Sequence, residues 1–189
     1  MDVADAIRAR RALRVLSDRS IGNEAVNSLV EAARLAPSCF NNQPWRFIFA
    51  QAEPALSAVK DALPGGNNWA TRAPLIIAVA ARRDDDCKLS DGRDYFLFDC
   101  GLSVSQLILR AVELNLIAHP IAGYDPEAVK KALGIPEDYV VITLIVCAHQ
   151  GDDDSLLSEK QREIEPERPE RDPIDDDFFL DSWGNPFTE

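Results

Sequence analysis

Four arginines fall within seven residues near the start of the chain: Arg8, Arg10, Arg11 and Arg14. Ile7 to Arg14 mixes apolar and basic residues at helical spacing and reads as the end of a first helix. On that reading Arg10 and Arg14 stand one turn apart and converge on one anion. A phosphate monoester is a good match, because a planar guanidinium makes two parallel charge-assisted bonds to it. The alternative is a solvated basic face on a surface helix.

The second grouping is Ala36-Pro37-Ser38-Cys39-Phe40-Asn41-Asn42-Gln43-Pro44-Trp45-Arg46-Phe47. It packs a hydroxyl, a thiol and three amides between a helix end and a strand start. Amides offer donor and acceptor together, which suits the pyrimidine edge of a flavin. The competing use is local, with the amides capping the helix and satisfying nearby backbone. No Ser-His-Asp or paired-carboxylate constellation is evident. Cys39, Cys87, Cys100 and Cys147 are scattered, with no CxxC pair and no metal-ligand spacing, so they read as reduced cytosolic thiols and no metal is expected. Cys100 reads as a small buried apolar residue, His119 beside Pro120 as structural, and His149 as exposed.

The elements that must position these groups follow from periodicity and breakers. Gly22 to Leu35 reads as a helix, with Val26, Leu29, Val30, Ala33 and Arg34 on one face and Pro37 stopping it. Trp45–Ala50 reads as a strand, 54–63 as a short helix, 64–69 as a loop, and 75–81 as a strand buried on both faces. The stretch 95–116 is the longest helix candidate, apolar on most faces and therefore central. Strands at 117–121 and 139–147 flank a helix that starts at Asp125-Pro126, a good cap followed by proline at the first position, and runs to Leu133. Helices and strands interleave, so a layered fold with helices on both sheet faces is expected.

Composition bounds the rest. The 189 residues fit one domain, 46% hydrophobic and 28% charged. The longest apolar run, 74–81, is far short of the ~20 residues of a membrane-spanning helix. The acidic N-terminus is unlike an export signal, so the expected location is cytoplasmic. Net charge is −12, and residues 150–189 hold 14 Asp or Glu against 4 Lys or Arg. The body is therefore nearly neutral, and no basic face for nucleic acid is present at scale. The chain divides into a body, 1–150, and an acidic extension, 151–189, whose prolines exclude a long helix or core strand. Phe178, Phe179, Leu180, Trp183 and Phe187 close that extension, more aromatic surface than a disordered tail carries. A partner subunit is the expected surface for it to cover.

The arginine string, followed by Ala-Pro-Ser-x-x-Asn-x-Gln-Pro-Trp-x-Phe, resembles the N-terminal signature of the nitroreductase family. Ala73-Pro74 before an apolar strand, the central helix with Gln106, the segment 120–126, Leu133-Gly134-Ile135-Pro136, and Arg171-Asp172-Pro173-Ile174 also resemble family segments, in the right order. The resemblance implies an α+β, three-layer α/β/α fold around a mixed, mainly antiparallel sheet, and an intertwined homodimer binding FMN between subunits. It implies that Arg10, Arg11, Ala12 and Arg14 meet the phosphate and ribityl end, with Arg171 reaching the same phosphate. Pro37, Ser38, Cys39, Asn41 and Gln43 would contact the flavin from the partner, and Asn67 or Asn68 would lie near its pyrimidine ring. Gly123, after Ala122, would offer its backbone N–H to the reactive ring nitrogen.

Several positions depart from the family pattern. Ala12 stands where Ser is common, and Trp69 stands near a position where some members carry a flavin-facing Lys. Asn115 replaces a glycine, and Pro169, next to Arg168, replaces a basic residue, so a weaker grip on phosphate is expected. The implied activity passes electrons from NAD(P)H through FMN to a nitroarene or quinone, with the cofactor carrying the chemistry. The rivals are flavin chemistry on a dedicated metabolite, a flavin-binding protein without turnover, and an interaction module using its acidic tail.

Overall fold

The computed structural model describes residues 1–187; the last two residues of the 151–189 extension lie outside the described residues. Helix α1 (Val3–Ala9) opens under an Asp2 cap, whose carboxylate accepts the Asp5 N–H at 2.8 Å. It ends at Ala9, and Arg10 already has extended backbone, φ −57° and ψ 123°. Arg10 to Arg14 are therefore not the last turn of a helix, contrary to their spacing. The reason is tertiary. Backbone carbonyls from Arg8 to Val15 accept from distant donors: the Arg168 guanidinium, His119 and the Gly151 N–H. Those partners satisfy groups that a helical turn would otherwise pair.

A short strand β1 (Leu16–Ser17), with no signal in the sequence, precedes α2 (Asn23–Arg34). Helix α2 buries Leu29 and Ala33, but Val30, expected on that face, is 41% exposed. Then come β2 (Trp45–Ala50), α3 (Ala55–Asp61), β3 (Leu75–Ala81), α4 (Tyr95–Glu113) and β4 (Ile117–Ile121). The loop before β3 is largely 3-10 turns, Gly65–Arg72. Asn115, after α4, takes φ 57°, the left-handed geometry that favours glycine. Helix α5 (Pro126–Leu133) carries its expected cap, with Asp125 accepting the N–H groups of Glu127 and Ala128, and Gly134 closes it at φ 64°. β5 (Val140–Gln150) runs three residues past the expected end, followed by α6 (Glu159–Ile164) and α7 (Ile174–Asp177).

Every strand pairing among the described residues is antiparallel: β2 with β3, β3 with β5, β4 with β5, and β1 with the last two residues of β5. Alternation along β3 and β5 divides the core. Ile76, Ala78, Ala80, Leu144 and Val146 pack with Trp69, Leu56, Val59 and Val129 on the α3 and α5 side. Leu75, Ile77, Val79, Ile145 and Cys147 pack with Leu29, Ala33, Leu107 and Ala111 of α2 and α4. The result is the expected three-layer α/β/α arrangement.

By length and composition α4 alone among the described residues could cross a membrane. In the fold it is a core helix, burying Cys100, Leu107 and Ala111, with the Ser103 hydroxyl donating to the Ala33 carbonyl at 2.8 Å.

Candidate functional site

Outside any helix, Arg10, Arg11, Ala12 and Arg14 line a common cleft of roughly 190 Å³. The arginines thus converge without a helical turn between them. The far wall comes from the extension: Glu165, Glu167, Arg168, Pro169 and Arg171. Arg11 completes a set of five arginines against two glutamates around the cleft.

Glu165 fixes this geometry. Its carboxylate, on a side chain 11% exposed, accepts the N–H groups of Arg14 and Val15 and pairs with the Arg14 guanidinium at 3.4 Å. Its carbonyl accepts from Arg11. Arg168 donates to the carbonyls of Arg8 and Arg10. Close packing at the base of the extension reinforces the join, because a side chain at Gly151 would meet the Leu16 carbonyl oxygen at 2.5 Å. Burial, and then the charges of Arg168 and Arg171, lower the Arg10 pKa. Excess positive charge of this kind is relieved by an anion.

From Arg14 the site continues through Trp69. The guanidinium sits 5.9 Å from the indole centroid, and the indole is buried against His119 at 4.7 Å. Trp69 is thus a core residue and not a lining group in the place of a lysine. Its indole N–H donates to Asn67 Oδ1 at 3.3 Å, and Asn67 Nδ2 donates to the Gly123 carbonyl at 2.6 Å. A Cβ at Gly123 would stand 2.8 Å from that amide nitrogen and would displace the Asn67 side chain. No hydrogen bond takes up the Gly123 N–H among the described residues. His119 is structural, as expected: a carbonyl can only accept, so Nδ1–H donates to Leu13 at 3.0 Å, and burial pulls the ring's pKa down. His149, expected to be exposed, is half-buried because Arg19 folds against its Nδ1 at 2.5 Å.

The 37–43 loop lies apart from this chain of contacts. Cys39 N–H donates to Asp99 Oδ2 at 2.7 Å, the Gln43 N–H to Ser38 Oγ at 3.0 Å, and Gln43 Nε2 to the Asn41 carbonyl at 3.0 Å. Part of its polar inventory therefore serves local backbone, the competing use. Phe40, Asn41 and Gln43 take φ of 49°, 60° and 50°, and Phe40 is 90% exposed. No hydrogen bond or ion pair among the described residues joins this loop to the arginine cleft.

The expected site residues thus form two groups. Arg10, Arg11, Ala12, Arg14 and Arg171 line the cleft and connect through Trp69 to Asn67 and Gly123, with Ala122 exposed alongside. Pro37, Ser38, Cys39, Asn41 and Gln43 sit in the other. Asn68 is exposed, and its carbonyl accepts the Thr71 hydroxyl. Glu165 was not expected, because nothing distinguishes it within an acidic stretch. Arg168 was visible only as a neighbour of Pro169, yet it lines the cleft where the expected basic residue is missing.

Residues 7–149 match the family model described as the nitroreductase family. The chain belongs to the nitroreductase family. An Archaeoglobus fulgidus protein named for NADH dehydrogenase/NAD(P)H nitroreductase activity is 31% identical over 87% of this chain and 94% of its own length. A solved oxidoreductase containing FMN superposes with a TM-score of 0.82 at 25% identity, covering 98% of this chain and 93% of its own. A Desulfovibrio desulfuricans protein described as a nitroreductase in complex with FMN gives 0.76 at 23% identity, covering 97% and 98%.

Proposed function

We propose that this nitroreductase-family chain binds FMN and passes electrons from NAD(P)H to a small acceptor such as a nitroaromatic or quinone, working as a homodimer. The observation that carries the reading is the continuous path from the five-arginine cleft through Trp69 to Asn67 and the unpaired Gly123 N–H. One end suits a phosphate monoester. The other offers an amide and a backbone donor where a heteroaromatic ring can be read and its developing charge met. Bound FMN would accept hydride from the nicotinamide and return electrons to the acceptor.

The chain's own groups bind and orient. Arg10, Arg14, Arg168 and Arg171 supply charge for the phosphate, and Ala12 lies among them without a hydroxyl. Asn67, held by Trp69, aligns the edge beside Gly123. The 37–43 loop is detached from this site within one chain, and Phe40 at its tip is bare. A second copy is the natural recipient of that loop, and the exposed Leu97 and Phe98 of α4 offer apolar surface for the same contact.

The test is the purified protein itself. It should be yellow and release FMN, not FAD, on heating. Stopped-flow mixing with NADH or NADPH should bleach the flavin rapidly, and an acceptor should restore the colour. A colourless protein that takes up no added FMN refutes the cofactor assignment. Flavin that binds but is not reduced by either nucleotide refutes the electron-transfer role.

A further inference from the structure

The stretch between β3 and α4 passes through 3-10 turns at Arg83–Asp85 and brings Asp86 and Cys87 against the 37–43 loop. Sγ of Cys39, Sγ of Cys87 and a carboxylate oxygen of Asp86 lie within 4.8 Å of one another. Residues 39 and 87 are far apart in sequence, so spacing gave no warning of this grouping. Asp86 is 7% exposed; one oxygen accepts from Asn42 Nδ2 at 3.3 Å, and Oδ2 has no partner. A buried, unsatisfied carboxylate oxygen is costly and calls for a partner. The nearby cations do not supply one: Arg46 and Arg82 both engage Asp85, at 3.3 and 2.5 Å.

The surroundings are crowded with acids. Asp99, 1% exposed, accepts the Cys39 N–H. Two thiols and two carboxylates therefore share a small space with no neutralising charge. A Cys39–Cys87 disulfide would engage both sulfurs yet leave Asp86 Oδ2 buried and unpaired. A cation accounts for both features.

We propose that Cys39, Cys87 and Asp86 form a site for one borderline-soft divalent cation of the zinc type. Two thiolates and a carboxylate are a zinc donor set, with water in the fourth tetrahedral position. Zinc–sulfur bonds of ~2.3 Å put tetrahedral sulfurs ~3.8 Å apart, so ligand atoms now within 4.8 Å need close by only ~1 Å. On binding, each thiol S–H gives its proton to solvent as the metal–sulfur bond forms, and no oxidant is required. Asp99 positions the site through the Cys39 backbone. The ion would clamp the loop whose Phe40, Asn41 and Gln43 hold positive φ, backbone that persists only where its surroundings impose it.

The inference stands apart from the flavin reading. The test uses the full chain, reduced and stripped with chelator, titrated with Zn²⁺ against a chromophoric competitor and separately with Co²⁺. The expected result is one ion per chain, proton release on binding, and a thiolate-to-cobalt charge-transfer band. Cys87→Ser and Asp86→Asn should each weaken binding by at least roughly 10-fold, the loss that removing even a ligand's supporting partner brings, with unchanged thermal unfolding of the metal-free protein confirming that both are folded. Cys100→Ala, at a neighbouring buried thiol, should bind as the parent does. Uptake below one equivalent, absence of the charge-transfer band, or parental affinity in Cys87→Ser overturns the site. Flavin content is read in the same sample, so a colourless protein that binds zinc removes the flavin reading and leaves this one standing.

Discussion

Arg10→Ala separates a phosphate site from a merely basic surface, because only a phosphate site gives opposite signs with and without flavin. Arg10 is half-buried beside Arg168 and Arg171, and both burial and their charges disfavour its cation. Its carbonyl accepts from Arg168, a bond that survives truncation of the side chain. Removing the guanidinium therefore relieves repulsion and breaks no ion pair of its own among the described residues. Flavin-free Arg10→Ala should melt at or slightly above the parent temperature. The liganded state should behave in the opposite way. A hydrogen bond to a charged group contributes ~1.5–3 kcal/mol, so loss of one charged fork should weaken FMN by roughly 10- to 150-fold.

Linkage turns that into a melting shift. FMN at 100 times its parent Kd stabilises the fold by ~2.7 kcal/mol. A 30-fold weaker variant at the same concentration retains only ~0.9 kcal/mol by the same relation. Thermal unfolding with and without FMN, beside a flavin-fluorescence titration of stripped protein, measures both. Parental FMN affinity in Arg10→Ala refutes the reasoning and moves the phosphate elsewhere, with Arg171 the next candidate. A large loss of stability without flavin would instead make Arg10 a structural residue.

The remaining predictions use the same cleft, the buried histidine and the extension. Ala12→Ser places a hydroxyl on the cleft wall and should tighten FMN by roughly 3- to 30-fold, by fluorescence titration; unchanged affinity would place the phosphate away from position 12. His119 is neutral in the fold, its pKa lowered by burial, so as pH falls below ~6.5 the unfolded chain gains a proton that the folded one refuses. Stability should decline from that pH downward until the folded ring also protonates. His119→Gln should flatten most of that slope in melting curves, leaving only the part due to His149, whose pKa is also lowered. Ending the chain after Asp177 removes Phe178, Leu180, Trp183 and Phe187, which are 47–92% exposed. If they cover a partner subunit, sedimentation should show a dimer weakened at least ~10-fold, since each large apolar side chain fully buried is worth ~1.5–3 kcal/mol; an unchanged dimer fraction would refute that role.

Elements with strong local signals were legible in the sequence. β2, β3 and β4 begin and end where the apolar runs do, and α5 carries both its Asp125 cap and its Gly134 stop. Those features need only neighbouring residues. The Arg10–Arg14 stretch was misread because its partners lie far away: Glu165 and Arg168 approach from the extension and Gly151 from the end of β5. Local spacing suggested helix, and long-range hydrogen bonds held the stretch out of one. β1 was invisible for the same reason, since two residues carry no periodicity and exist as a strand only by pairing with His149 and Gln150. Trp69 shows the limit for side chains, because position suggested a cofactor-facing residue while packing made it the wall on which Arg14, Asn67 and His119 are arranged.

The same distinction explains why the expected site residues fall into two groups. Residues 10–14, 67 and 123 are tied together by a buried indole and a buried carboxylate, groups whose burial cost demands fixed partners. The 37–43 loop is tied instead to the opposite face of the sheet, through Asp99 of α4 and Asp86, with its backbone held in positive φ and its most apolar side chain left bare. A loop held that firmly and pointed outward is poorly suited to close over its own cleft. It is well suited to enter another molecule's. Two such loops exchanged about a two-fold axis would satisfy both subunits with one surface, and a rigid anchor at Cys39 would set how far each loop reaches.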